Sequence, residues 1–145
     1  MTRFLSFFSI CLIINIGTSY ADQSPSDGTC LAVSNYATTN LAAYANEILE
    51  TGNAVGWQEL DQASKTYKKV ADYFIATASQ WIEDEQIKTD YVQALTYLSE
   101  AKPNVAKESQ KDDSRLIDTL FSCKENAETR MKEDERKREG IKPPF

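Results

Sequence analysis

Residues 29–50 read TCLAVSNYATTNLAAYANEILE, and the reading of this stretch decides the fold. Its apolar positions Cys30, Val33, Ala37, Leu41, Tyr44 and Ile48 recur every three or four residues, the spacing of one face of an α-helix. Asp27 stands where a side-chain cap would open that helix, and Gly52 where a left-handed residue would close it. A second helix follows Asn53 or Gly56, with Trp57, Leu60, Ser64, Tyr67, Ala71, Phe74, Ala78 and Trp81 on one stripe and Val70, Ile75 and Ile82 widening it. Two glycines within five positions predict a tight connection between the two.

Farther along, Ile87, Tyr91, Leu95 and Leu98 give a shorter third helix from about Ile87 or Thr89 to Lys102, which Pro103 stops. The fourth starts between Asn104 and Asp113 and carries Leu116, Leu120, Cys123 or Lys124, Ala127 and Met131. No stretch shows the sustained alternation of a strand. The expectation is an all-α, antiparallel four-helix bundle running up-down-up-down.

The first 21 residues have a different character. Arg3 precedes an apolar run from Phe4 to Ile16, and the small-residue end SYA occupies 19–21, the three-part layout of a cleaved secretory signal. The run is too short to cross a bilayer core of about 30 Å as a helix, so no stable membrane anchor is expected. Cleavage after Ala21 would remove Cys11 and leave Cys30 and Cys123, an even count that reads as one disulfide in an oxidising compartment. The pair matches in depth only if the first and fourth helices are adjacent and antiparallel. A periplasmic location is expected, with secretion as the alternative; none of the asparagines has Ser or Thr two positions on, which favours the periplasm over a eukaryotic secretory route. The expected division is a signal peptide at 1–21, a helical bundle at 22–131 and a charged extension at 132–145.

The formal net charge of −6 is unevenly spread. Residues 22–123 hold 16 acidic side chains against 8 basic ones, whereas 124–139 hold six of each. Such a surface repels nucleic acid and anionic lipid and steers a basic protein partner toward itself. The run KEDERKRE at 132–139 has no apolar stripe to bury. It reads as a solvated helical extension or a frayed tail, with opposite charges such as Glu128 and Lys132 in register.

The chain has no histidine, which removes His-based triads, histidine-ligated haem, paired-His zinc helices and di-iron bundles. A calcium loop around Asp27 fails, because its sixth position is Asp27 where glycine is needed and its twelfth is Val33 where a bidentate Glu is needed. Gly52 and Gly56 have neither the preceding strand nor the lysine of a phosphate loop. Carboxylates on the turns of a slim bundle are solvated, so paired-acid catalysis is not expected either. The sequence therefore reads as a non-enzyme with no cofactor and no metal.

Contact residues are the remaining candidates. Glu83, Asp84 and Glu85, with Asp90 nearby, fall where the second helix would end and the third begin; there they either oppose one macrodipole or favour the next. Tyr36, Tyr73 and Tyr97 sit beside their stripes, and Trp57 follows the Val55-Gly56 turn, positions from which an aromatic ring can anchor an interface. The stretch from Asp90 to Asn104 looks like half of one tetratricopeptide repeat, but no second copy follows at 34 residues, so it reads as ordinary helix-pair packing.

An early cysteine with its partner in the last helix, an acidic all-helical domain and a cleaved signal are together similar to the periplasmic immunity proteins that protect bacteria from type VI secretion effectors. The glycine-and-tyrosine pattern after the first cysteine of one such family is absent, since Cys30 is followed by Leu31-Ala32-Val33. The resemblance implies inhibition of a basic secreted toxin or cell-wall hydrolase by occlusion of its active cleft, often as a homodimer. A periplasmic chaperone or envelope assembly factor is the alternative expectation.

Overall fold

The computed structural model describes residues 24–103, 105–106 and 111–140; the expected signal segment and Cys11 lie outside them. Four helices follow one another: α1 (Asp27–Glu50), α2 (Ala54–Ala76), α3 (Glu85–Ala101) and α4 (Lys111–Arg138), with a short 3-10 turn at Ala78–Gln80. The bundle is all-helical, as the periodicity predicts, and Cys30 and Cys123 are bonded with their Cα atoms 5.3 Å apart.

Local chemistry sets the helix ends. Ser26, not Asp27, caps α1: its Oγ accepts from the Thr29 amide at 3.3 Å, and Asp27 occupies the first turn, where a carboxylate meets the positive end of the dipole. Asn53 caps α2 by accepting from the Gly56 amide at 3.0 Å. That helix stops at Ala76, short of the expected Trp81. Thr77 turns its hydroxyl back onto the Tyr73 carbonyl at 3.1 Å, the local competition through which Ser and Thr unsettle a helix. The chain then tightens into the 3-10 turn and Trp81 swings inward to 5% exposure.

Because α2 ends early, Glu83, Asp84 and Glu85 do not oppose its dipole. Asp84 instead caps α3, accepting from the amides of Gln86 at 2.9 Å and Ile87 at 3.1 Å, and Glu85 stands in its first turn. At the far end of α3, Lys102 adopts a left-handed conformation (φ 42°, ψ 50°) immediately before Pro103.

Helix α1 is the hub. It packs against all three other helices, α4 also packs on α2, and among the described residues α3 approaches α1 alone. Small side chains make this possible: Ala32, Ser34, Ala37 and Ala45 are all buried on α1. Gly28 allows the closest approach, since a Cβ there would lie 2.3 Å from the Ile87 carbonyl oxygen. Gly28 against Ile87 and Tyr91, together with Tyr36 donating to the Pro103 carbonyl, places α3 parallel to α1. The disulfide and the 2.7 Å ion pair of Arg130 with Asp27 make α4 antiparallel to α1. Phe74 and both cysteines are fully buried at the centre, among Val33, Leu41, Val70, Leu98, Leu116 and Leu120.

Candidate functional site

The topology sends the candidate residues to two opposite poles and, for Tyr36 and Tyr97, to the body of the bundle between them. Around the start of α1 gather the end of α2, the 3-10 turn, the start of α3 and the last turns of α4. Glu83, Asp84, Glu85 and Asp90 belong to this pole, but each of the last three is engaged. Asp84 is a cap, Glu85 pairs with Lys88 at 2.6 Å, and Asp90 accepts from Gln86 at 2.8 Å. Asp27 is held by Arg130.

Antiparallel to α1, helix α4 also carries Arg130, Lys132, Arg136, Lys137 and Arg138 past the start of α1 into this pole. Of these, Arg130 meets an acid of another element, Asp27. Helix α4 runs unbroken through 132–138, so the charged extension is helical up to Arg138. Its pairs differ from the expected one: Glu128 meets Lys124 at 3.3 Å rather than Lys132, and Asp134 meets Lys137 at 3.6 Å.

Tyr73 is half-buried at the same pole, under the Arg130 guanidinium, whose Cζ lies 5.2 Å from its ring centre and 5.8 Å from that of Phe74. The hydrogen bond to Asp27 raises the Arg130 pKa above its ordinary value, so the clamp stays charged. Tyr36 spends its hydroxyl on Pro103, tying α1 to the end of α3. Tyr97 is 42% exposed on α3, close in sequence to the exposed Val92 and Leu95. The predicted contact residues thus do not converge, and Trp57 alone lies at the other pole.

That other pole is the tip of the α1–α2 hairpin. The Ser64 hydroxyl donates to the Thr38 carbonyl at 2.9 Å, which sets the hairpin register. In the same register Cys30 opposite Cys123 places the start of α4 near Ala42 of α1. At 1.5 Å rise per residue, the hairpin then continues about 13 Å beyond the level where α4 begins. Burial agrees, for no residue from Asn46 to Ala63 is buried. Val55 is 67% and Leu49 is 49% exposed, with Ile48 and Trp57 half-buried beside them.

The charge at this tip is one-sided. From Gln23 to Ser64 the sequence holds five acids, Asp27, Glu47, Glu50, Glu59 and Asp61, and no base. Asp61 is met by Lys65 at 2.6 Å, whereas Glu47, Glu50 and Glu59 pair with no cation among the described residues. Contact-residue reasoning from the sequence picked out Trp57 at this tip but not its acids, because a charge deficit of one sign draws attention only when the fold shows which acids lack neighbours.

Below the tip, a half-open groove of about 650 Å³ runs between α2 and α4, walled by Leu41, Leu60, Ala63, Tyr67, Leu120 and Phe121. Phe121 is 56% exposed. Burial raises the Tyr67 phenol above its ordinary pKa. Among the described residues no group of three potential metal ligands occurs, and no helix is long and apolar enough to cross a membrane. The chain matches no family model, and no curated protein and no solved structure shows a significant likeness to it.

Proposed function

We propose that this is an exported binding protein of the immunity or inhibitor type, which neutralises a basic toxin or cell-wall hydrolase in the periplasm by occluding its active site. The observation that supports the reading is the pole at which exposed apolar side chains are set among Glu47, Glu50 and Glu59, acids that form no ion pair among the described residues. Apolar contact supplies affinity, and unpaired carboxylates supply attraction and selectivity for a basic surface. The bundle behind them is cross-linked, so little conformational freedom is lost on binding.

The experiment is a competition between two cell populations of the source bacterium, one lacking this gene, combined with affinity measurements on the toxin or hydrolase encoded beside it. The expected results are sensitivity of the deletion strain to attack by its siblings and an affinity that weakens as salt rises. A deletion strain indifferent to attack, with salt-independent affinity, would sink the proposal.

One observation favours a second reading, an envelope chaperone. The α2–α4 groove is walled by Leu41, Leu60, Ala63, Leu120 and Phe121, an apolar surface open to a client, with Glu59, Thr66 and Lys124 also lining it. Suppression of client aggregation by the purified protein, with no stoichiometric partner, supports that reading over the first.

A further inference from the structure

We infer that the α1–α2 hairpin tip is a preformed plug: Leu49, Val55 and Trp57 enter an apolar cleft on a protein partner, and Glu47, Glu50 and Glu59 meet a basic rim around that cleft. This rests on the binding reading above and names the element that carries it.

Three features of the tip support the assignment. The first is its reach, since it stands clear of α4 and its side chains are free to enter a concave surface. The second is rigidity. The Thr51 hydroxyl donates to the Ile48 carbonyl at 2.6 Å, the Gly52 amide to Leu49 at 3.0 Å, and Asn53 closes the next turn through Gly56. Gly52 takes the left-handed conformation the reversal requires (φ 79°), and Ile48 packs so near Gly56 that a Cβ there would lie 3.2 Å from its Cγ2. A connection fixed in this way has little entropy left to lose.

The third is charge, which selects among occupants. Two copies meeting tip to tip would bring six carboxylates together without a base. An anionic membrane surface repels the same groups. A basic protein with a cleft is the occupant that both the apolar core and the acidic collar fit. At the other pole the acids are engaged, Asp27 by Arg130, Glu85 by Lys88 and Asp84 by the first amides of α3.

The test places a photo-cross-linking side chain at position 55, 92 or 121 of the full chain and exposes each to the envelope and secreted proteins of the source organism. The expected result is a discrete adduct from position 55 with a protein of basic isoelectric point, its yield falling about tenfold between about 0.05 and 0.5 M salt. Pairing Leu49→Ser with Val55→Ser should weaken binding to that protein about tenfold or more while leaving Tm unchanged, because both side chains are solvent-facing. Adducts from 92 or 121 but not from 55 overturn the plug and leave the binding reading standing. Adducts from 55 with a second copy of this chain, or with many proteins regardless of charge, also overturn it. No adduct at any position sinks both.

Discussion

Arg130 shows how one side chain can hold two elements. It reaches 103 positions back along the chain to Asp27, only 16% of whose side chain is exposed, and lies over the rings of Tyr73 and Phe74. Replacing Arg130 with Ala should cost about 1–3 kcal/mol in denaturant unfolding, through a lost charged hydrogen bond and a lost cation–π contact. Exposed pairs such as Lys68 with Asp72 should matter far less, because water and salt screen them. Ser34 is the opposite case. Its hydroxyl is fully buried and has no partner among the described residues, so Ser34→Ala should leave stability unchanged or raise Tm. Tyr67 gives a pH signature. Its folded phenol keeps a proton that the unfolded one loses above pH 10, so its contribution is intact below pH 10 and falls as the pH rises further. Denaturation midpoints at about pH 9 and about pH 11 should differ less in Tyr67→Phe than in the wild type.

At the scale of the element, periodicity located all four helices, and the errors were confined to their ends. The stripe of α2 continues through Ala78 and Trp81, so nothing in the apolar pattern marks the stop at Ala76. The stop goes with the burial of Trp81, which the turn at 78–80 carries to 5% exposure, and that burial is tertiary. The acids at 83–85 stay ambiguous in the sequence for the same reason: whether they close α2 or open α3 follows from where α2 ends, and the structure has them open α3. Among the described residues helix α3 rests on α1 alone, with Gly28, Tyr36 and Leu98 at the contact. Gly28→Ala should push it outward and destabilise the fold by about 1–3 kcal/mol, with faster amide exchange in α3 than in α1 and α2 as the diagnostic. Lys102→Gly should have the reverse sign and stabilise by up to about 1 kcal/mol, because the left-handed conformation at its φ of 42° costs a residue with a Cβ.

In the whole molecule, the disulfide joins the hub to the last helix, and α4 is otherwise held by the Arg130 clamp and one narrow stripe, Leu116, Leu120, Ala127 and Met131. Reducing the bond should cost about 2–4 kcal/mol and loosen α4 first, which limited proteolysis with and without reductant would show. Both cysteines are fully buried, so reduction should be slow until the chain is partly unfolded. The sequence by itself determined that the domain is helical, where its helices lie and that the two cysteines pair across antiparallel helices. Helical periodicity and cysteine depth are local quantities that a linear reading can measure. Only the tertiary structure decided which acids remain uncompensated. Residues 83–90 look like the acidic site until the fold shows Asp84 capping α3, Glu85 paired with Lys88 and Asp90 bonded to Gln86; residues 47–59 hold fewer acids, yet Glu47, Glu50 and Glu59 at the opposite pole form an ion pair with no cation among the described residues. Charge acts through space over a distance set by solvent and salt, and the neighbours that neutralise it are chosen by chain direction and packing, which composition does not record.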